Sequence, residues 1–188
     1  ENQVGTFDFY QPCGFTGGSG TQYFTGDWNG KEFIADDVQT RWIDFGRDNY
    51  AGVTFNDAPN SRRIFIGWMN NWDYARDFPT SPWRGSMTLP RELTLVSKVG
   101  QISLAANPVP ELNHYLTERV SAGSGAELLE IKTKISTKGD HSTKLRVTSD
   151  SGSYFEFGYD AKNKSVFVDR TKAWNEIPSD HIQNSPIK

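Results

Sequence analysis

Residues 41–93 read RWIDFGRDNYAGVTFNDAPNSRRIFIGWMNNWDYARDFPTSPWRGSMTLPREL, and this stretch decides how the fold of the whole chain is interpreted. Four of the six tryptophans lie in it, interleaved with acidic, amide and arginine side chains. A strand pair that only builds a core would alternate aliphatic with polar residues instead. Ring faces stack on the C–H faces of sugars, and polar groups in a concave pocket bond sugar hydroxyls. The composition therefore indicates a carbohydrate site.

The order of local signals within this stretch predicts two neighbouring strands. Residues 50–55 form a β-rich run, and the turn cluster at 56–61 follows it. Residues 63–68 form a second run, whose continuous apolar stretch predicts a strand buried on both faces. This strand delivers residues 69–72 to its end, where functional side chains are commonly carried on loops.

Charge and hydropathy exclude two classes of partner. The chain has 188 residues, a formal net charge of −3 and a pI of about 5.6, and its Lys and Arg residues are scattered without a run. A nucleic-acid binder would usually carry a basic patch and a high pI, so no nucleic acid is expected. No segment approaches the roughly 18 apolar residues of a membrane span, so no membrane is expected either.

The cysteine and histidine residues suggest neither a metal site nor a cofactor. Cys13 is the only cysteine, which excludes an intramolecular disulfide and a thiolate metal site. His114, His141 and His181 share no metal-ligand spacing. A catalytic thiol would need a nearby base, and the alternative for Cys13 is a buried, inert thiol, which we favour.

Strand signals recur every 8 to 12 residues or so up to residue 98, and no segment before Pro110 has a convincing helical period. This spacing predicts an all-β sandwich, barrel or propeller over residues 1–104. Residues 6–10 and 21–25 are predicted strands. Asn29-Gly30, between Trp28 and Lys31, predicts a two-residue hairpin with a return strand at residues 32–34.

The remainder of the chain divides into a linker and a second all-β region. Residues 105–120 contain Pro108 and Pro110, which favour extended backbone, and are interpreted as a linker with a short helical turn at 111–120. In residues 121–188 short apolar runs alternate with turn clusters, as in a β-sandwich. Asn163-Lys164-Ser165 is a glycosylation sequon in one of these turns, and we predict modification of Asn163.

Three ordered motifs in the tryptophan-rich stretch resemble one family. WIDFGRDNYA at residues 42–51, IGWMNNWDY at 66–74 and PWRGSMTLPREL at 82–93 are similar to segments of the invertase, inulinase and levanase family of glycoside hydrolases, family 32. Residues 18–24 resemble the lead-in to a propeller hairpin of this family, and residues 166–172 resemble a recurring segment of its C-terminal sandwich. The resemblance is strong over residues 18–98 and weak over 99–172, and residues 1–17 match poorly.

The resemblance implies a fold and an activity. The family has a five-bladed β-propeller followed by a β-sandwich, and its members cleave β-fructofuranosyl bonds in sucrose, inulin or levan with retention of configuration. Residues 1–104 would then be the last blades of the propeller, 105–120 the linker and 121–188 the first part of the sandwich. The implied partner is a fructose-containing oligo- or polysaccharide, and the implied location is outside the cell.

The catalytic motifs of the family have no match in this chain. Retaining hydrolysis requires two carboxyl groups about 5 to 5.5 Å apart. In the family these lie in Asn-Asp-Pro-Asn-Gly and Glu-Cys motifs, with a further aspartate in Arg-Asp-Pro, and Cys13 follows Pro12 instead of a glutamate. We therefore assign no catalytic residue here. The chain is interpreted as an internal fragment, inactive alone, whose missing N-terminal blades are supplied in cis or by another chain.

Two alternatives to this interpretation are kept. One is a non-catalytic carbohydrate-binding or structural module that reuses the fold, because fold alone does not decide function. The other is catalysis by carboxylates of the chain itself, although acids among basic partners are usually solvated or ion-paired. The candidate acids are Asp44, Asp48, Asp73, Asp77 and Glu92.

The resemblance also assigns substrate-binding residues. Trp72 corresponds to a tryptophan that lines the subsite for the terminal fructose, the alternative being a core tryptophan. Asp48 and Tyr50 match residues near the same pocket, where the Tyr50 hydroxyl bonds either a sugar, a catalytic carboxyl or the backbone. Asn71, like its neighbour Asn70, either bonds sugar hydroxyls or is ordinary turn material. The expected structural residues are Trp68 in the core and a set that locks the blade, namely Trp83, Arg84, Arg91 and Glu92.

Overall fold

The computed structural model describes residues 19–173, apart from residues 73, 79, 124, 126, 127 and 137–140. In this part of the chain the regular structure is all β, interrupted only by three short 3-10 turns at Pro59–Ser61, Ala75–Asp77 and Pro110–Tyr115. The prediction of an all-β chain is therefore confirmed for the described residues. The predicted strand at residues 6–10, Cys13 and His181 lie outside them.

The first four strands form two small antiparallel pairs. Strand β1 (Gln22–Tyr23) pairs with β4 (Arg41–Trp42), and β2 (Gly26–Trp28) pairs with β3 (Phe33–Ala35). The predicted strand at residues 21–25 is thus divided between β1 and the approach to β2.

The loop between β2 and β3 differs from the prediction. Trp28 pairs with Phe33, so the loop has four residues, 29–32, and the return strand begins at Phe33 and not at residue 32. The Asn29 side-chain oxygen accepts hydrogen bonds from the backbone N–H groups of Lys31 (2.9 Å) and Glu32 (3.0 Å), and Gly30 has a φ of 93°. The prediction of a two-residue turn was wrong because the asparagine side chain supplies bonds that a tight turn would take from the backbone.

A four-stranded antiparallel meander follows, with neighbouring strands in chain order. It consists of β5 (Tyr50–Thr54), β6 (Ile64–Trp68), β7 (Arg91–Lys98) and β8 (Gln101–Pro108). The predicted runs at residues 50–55 and 63–68 correspond to β5 and β6 within one residue at each end.

The core of this sheet is centred on β6. Phe65, which is 1% exposed, clusters with Ile43 and Leu93, and Leu104 and Ala106 pack against them. The backbone of β5 approaches Phe65 so closely that a Cβ atom on Gly52 would lie 2.1 Å from its ring. Successive side chains of a strand point to opposite faces. In β6 one face is fully buried and the other half-buried, which differs from the predicted burial of both faces.

Strand β8, which lies at the edge of the sheet, extends into the segment that was predicted to be a linker. Pro108 is the last residue of β8 and pairs with Arg91, so residues 105–108 continue the ladder. A proline is tolerated there because β8 is an edge strand and the missing N–H removes no bond within the sheet. The buried Val109 then donates its N–H to the Pro90 carbonyl (3.0 Å), and the 3-10 turn Pro110–Tyr115 follows.

A guanidinium fastens this 3-10 turn to the sheet. Arg62 Nε donates to Glu92 (3.0 Å), and its two terminal nitrogens donate to the carboxylate of Glu111 (2.5 and 3.2 Å). The bonded Arg62 holds the pKa of Glu111 well below its ordinary value, at about 2. The start of the predicted linker is therefore tied to the turn that joins β5 and β6.

The C-terminal part contains a three-stranded antiparallel sheet. Strands β9 (Thr143–Thr148), β10 (Tyr154–Asp160) and β11 (Ser165–Asp169) form it, with β10 in the centre. Glu156 of β10 bridges two cations of β9, Lys144 (3.0 Å) and Arg146 (2.7 Å). The described residues 128–136 contain no strand, although short apolar runs were predicted to alternate with turns throughout residues 121–188 as in a β-sandwich.

Candidate functional site

The loop after β6 is held rigidly to its surroundings. The N–H of Met69 bonds the Ser86 carbonyl (2.7 Å), and the side chain of Asn70 accepts the N–H of Asn71 (2.8 Å). The N–H of Trp72 donates to the hydroxyl of Ser19 at 3.0 Å, which connects the loop to a residue 53 positions earlier. Both asparagines are buried, so this turn is fixed by internal hydrogen bonds and not by solvent.

Trp72 presents its indole ring to solvent on this rigid loop. It is 60% exposed, and its ring centroid lies 4.9 Å from that of Trp68, with the planes inclined by 52°. Trp68 is half-buried, and a Cβ atom on Gly85 would lie 2.4 Å from its Nε1. Trp72 is therefore not a core residue within the described structure, and its ring packs against the ring of Trp68.

Asn71 cross-links the two loops that flank this ring. It is 1% exposed, and its amide donates to the Arg47 carbonyl at 3.0 Å. Its own carbonyl accepts the N–H groups of Tyr74 (3.2 Å) and Ala75 (2.8 Å). The predicted contact of Asn71 with substrate stays a prediction, and the observed bonds define a role in fixing the loop backbone.

Asp48 lies in a three-member polar cluster with Tyr74 and Arg170. The Tyr74 hydroxyl donates to one carboxylate oxygen of Asp48, and the Arg170 guanidinium donates to the other. A second nitrogen of Arg170 donates to the Tyr74 hydroxyl at 3.0 Å. Each group thus bonds the other two, and we refer to Asp48, Tyr74 and Arg170 as the triangle.

Burial and the contacts among the three residues together set the protonation states within the triangle. Tyr74 is 1% exposed, and burial together with the hydrogen bond to Asp48 raises the pKa of its hydroxyl above the ordinary value. Burial opposes the charge of Arg170, but Asp48 and Tyr74 together outweigh it and raise the pKa of the guanidinium. Tyr74 is therefore a neutral hydrogen-bond donor and Arg170 a cation at physiological pH. The Cζ atom of Arg47 lies 5.6 Å from the centroid of the Tyr74 ring. The Arg47 guanidinium is thus a second cation beside this ring.

Tyr50 begins β5 directly opposite Trp68. The two residues are partners in the ladder, and a bulge between Tyr50 and Val53 shifts the register beyond them. Ala51, inside this irregularity, has a φ of 49°. Bulges re-aim side chains at the ends of strands. Tyr50 is half-buried beside the tryptophan pair, and its contact with a sugar stays a prediction.

Two of the other candidate acids, Asp44 and Glu92, have structural partners, and Asp73 lies outside the described residues. Asp44 pairs with Arg91 (2.8 Å) and accepts the Gly46 N–H (2.8 Å), and Glu92 pairs with Arg62. Arg91 and Glu92 are therefore both ion-paired, and their role in locking a blade stays a prediction. Trp83 is 72% exposed, so it packs little against the described residues. Arg84, for its part, donates to the backbone carbonyl of Arg76.

Sequence reasoning missed two members of this site. Tyr74 and Arg170 both lie inside the motifs that resemble the family, at residues 66–74 and 166–172, but neither was singled out. Arg170 is 122 positions from Asp48, and no local pattern announces such a contact. The signal that the sequence did offer was the place of both residues inside these two motifs.

The described residues contain no cluster of three or more His, Cys, Asp or Glu side chains suited to hold a metal ion. They also include no helix of sufficient length and apolarity to cross a membrane.

Comparison with known proteins identifies the family. Residues 3–108 match the N-terminal domain of glycosyl hydrolases family 32, and the match ends at the last residue of β8. The chain is 35% identical over 181 residues to a levanase of Bacillus subtilis, and 34% identical over 210 residues to an invertase of Kluyveromyces lactis. It is 32% identical over 177 residues to an extracellular exo-inulinase of Meyerozyma guilliermondii. The chain belongs to glycoside hydrolase family 32.

The chain is much shorter than these relatives. The three alignments cover 86%, 95% and 82% of this chain but 27%, 34% and 34% of the respective relative. The chain therefore spans about a third or less of the length of the curated relatives it matches.

Solved structures agree with the sequence comparison. An exo-inulinase from Aspergillus awamori superimposes with a TM-score of 0.65 at 26% identity, over 85% of this chain and 35% of that one. A fructofuranosidase variant from Schwanniomyces occidentalis, complexed with fructosylnystose, gives 0.64 at 25% identity over 90% and 40%.

Proposed function

We propose that this chain is part of a retaining hydrolase that cleaves β-fructofuranosyl bonds in sucrose, inulin or levan. The observation that carries the proposal is the family match over residues 3–108, which ends where the four-stranded sheet ends. The names of the relatives support a fructose-containing substrate, since they include a levanase and an invertase.

We propose that the chain supplies the last blades of the propeller and the first strands of the sandwich. A four-stranded antiparallel meander is the ordinary form of a propeller blade. Strands β5 to β8 have this form, and β1 to β4 would belong to the preceding blade. The division into residues 1–104, 105–120 and 121–188 is proposed with one revision, because β8 favours a propeller boundary at residue 108.

We propose Trp72 as the platform for the terminal fructose. Its exposed ring, its rigid loop and its support by Trp68 are what a stacking surface requires. Asp48, Tyr50 and Asn71 belong to the same pocket. Asp48 and Asn71 act mainly by holding the loops in place, since protein groups already bond their polar atoms.

The nucleophile and the acid/base are proposed to come from N-terminal blades, in cis or from another chain. The family's three carboxylate motifs do not occur in this sequence, and Asp44, Asp48 and Glu92 are engaged by cations. The same lack of motifs favours one alternative, a carbohydrate-binding module without catalysis. The sequence upstream of Glu1 in the gene discriminates between them, since the enzyme requires an Asn-Asp-Pro-Asn-Gly motif there.

The activity is tested by the stereochemistry of sucrose hydrolysis. The complete protein that contains this chain is incubated with sucrose, and the first fructose anomer released is followed by NMR. The proposal predicts β-fructofuranose as the initial product, because retention preserves the anomeric configuration. Initial release of the α anomer, or no hydrolysis of sucrose, inulin and levan, would overturn it.

We also propose that the protein is secreted and glycosylated on Asn163. The residue is exposed in the turn between β10 and β11, where its amide nitrogen bonds Asp160 (2.5 Å). A mass shift of the native protein that a glycosidase removes, and that Asn163→Gln lacks, is the expected result. An unmodified secreted protein would contradict it.

A further inference from the structure

Arg170 connects the C-terminal sheet to both loops of the candidate sugar site. It follows β11 directly, and its guanidinium donates to Asp48 and Tyr74, with 31% of the side chain exposed. The bonds from Arg170 reach one residue of each loop, since Asp48 precedes β5 and Tyr74 follows Trp72 by two positions.

The triangle is joined to the backbone that carries Trp72. Tyr74 donates its N–H to the Asn71 carbonyl (3.2 Å), and the amide of Asn71 donates to the carbonyl of Arg47, the neighbour of Asp48. A closed circuit of bonds therefore runs from Arg170 through Tyr74 and Asn71 back to Asp48. No bond in this circuit involves the indole of Trp72, which leaves that ring available.

Removal of Arg170 would take from this circuit the cation that follows the C-terminal sheet, and would leave the hydrogen bond from Tyr74 to Asp48 to close it. The Asp48 carboxylate, 17% exposed, would then be left largely desolvated with one partner fewer. A buried charge that loses its partner relaxes toward water. The two loops would then depend on the bonds of Tyr74 and Asn71, and a displacement of about 1 Å between them is large for the placement of a stacking ring.

We propose that Arg170 is a positioning residue for fructoside binding: through Asp48 and Tyr74 it fixes the loop that carries Trp72, without touching the sugar. The C-terminal sheet thereby contributes to the affinity of a site built by the preceding sheet. This inference rests on the proposed function, because it takes Trp72 as the sugar platform.

The chain offers a matched control in Arg146. This arginine lies in the same three-stranded sheet, pairs with Glu156 (2.7 Å) and covers the Tyr154 ring at 4.0 Å, so it has the same kinds of partner as Arg170. None of its described bonds reaches the Trp72 loop. Arg146→Gln therefore reproduces the loss of a paired arginine from the sheet while the triangle stays intact.

Two readouts test the proposal in the complete protein. Arg170→Gln should raise KM for sucrose by about tenfold while kcat stays within about twofold. It should also accelerate hydrogen exchange of the Tyr74 and Ala75 amides, which bond Asn71. Arg170→Lys, which keeps the charge but not the two-pronged geometry, should restore KM in part. Arg146→Gln should leave both readouts unchanged.

The outcomes separate this inference from the proposed function. Wild-type KM and wild-type exchange of these amides in Arg170→Gln would overturn the positioning role. An equal rise of KM in Arg146→Gln would also overturn it, since the effect would then be general loosening of the sheet. If the wild-type protein does not act on fructosides, the proposed function fails. In that case the exchange rates alone decide whether Arg170 holds the loop.

Discussion

At the scale of single residues, Trp68 and Trp72 have similar sequence surroundings but different positions. Trp68 ends a strand, is half-buried, and packs with its ring nitrogen close to Gly85. Trp72 lies on the following turn and is mostly exposed. Loss of a supporting ring leaves a cavity, while loss of an exposed ring leaves none. The two residues should therefore give different phenotypes when truncated.

Trp72→Ala should reduce kcat/KM on sucrose or inulin by about tenfold or more, equivalent to at least roughly 1.4 kcal/mol of transition-state binding. The melting temperature should change little, because the ring contributes few buried contacts. Steady-state kinetics and thermal unfolding of the complete protein measure both quantities.

Trp68→Ala serves as the control for this experiment. Its melting temperature should fall by several degrees, because the ring fills space between β6 and the segment around Gly85. Its kcat/KM per folded molecule should fall less than that of Trp72→Ala. If the two phenotypes are exchanged, the sugar platform has been assigned to the wrong tryptophan.

Residue type predicted the ion pairing of Arg91 and Glu92. Trp68, which was expected in the core, is half-buried. The triangle could not be predicted, because Arg170 and Asp48 are 122 positions apart and an arginine on a turn has many available acids. Long-range ion pairs depend on how sheets are placed, which local patterns do not contain.

At the scale of elements, the predicted boundaries were wrong at one loop and at the end of one strand. The loop 29–32 is longer than predicted because Asn29 bonds two N–H groups of the turn. Strand β8 is longer because a proline at an edge position removes no bond within the sheet. The strands β5 and β6 were predicted well, since their apolar runs are long and the turn cluster between them is unambiguous.

The 3-10 turn after β8 provides a test of the link between Arg62 and Glu111. The hydrogen bond from Arg62 lowers the pKa of Glu111 from the ordinary 4.5 to about 2. Because the folded pKa lies below the unfolded one, the link is fully present above pH 4.5 and is lost as the pH falls through about 2. NMR titration of the Glu111 carboxyl should give a midpoint near 2.

Arg62→Gln supplies the control for that titration. Without the guanidinium, the midpoint of Glu111 should return most of the way to 4.5, while the pKa of Glu156 should stay low because its partners Lys144 and Arg146 are untouched. A Glu111 midpoint that is normal in the wild type, or unchanged by Arg62→Gln, would mean that the link does not form in solution.

At the scale of the whole molecule, the chain is a family 32 segment that contains a candidate sugar platform but lacks the family's carboxylate motifs. The triangle lies where the loops before β5 and after β6 meet Arg170, the residue that follows β11. The exposed Trp72 lies on the loop after β6. This arrangement divides the proposed enzyme into two contributions: blades that supply the catalytic acids, and the present chain, which supplies one wall of the binding pocket.

The most direct test of this division is fructose release from sucrose by the 188-residue chain and by the complete protein, measured side by side at equal molar concentration. We predict no detectable release by the chain alone and clear release by the complete protein. Release by the chain alone that is abolished when one of its own acids, such as Asp44 or Asp77, is replaced by Asn would contradict it.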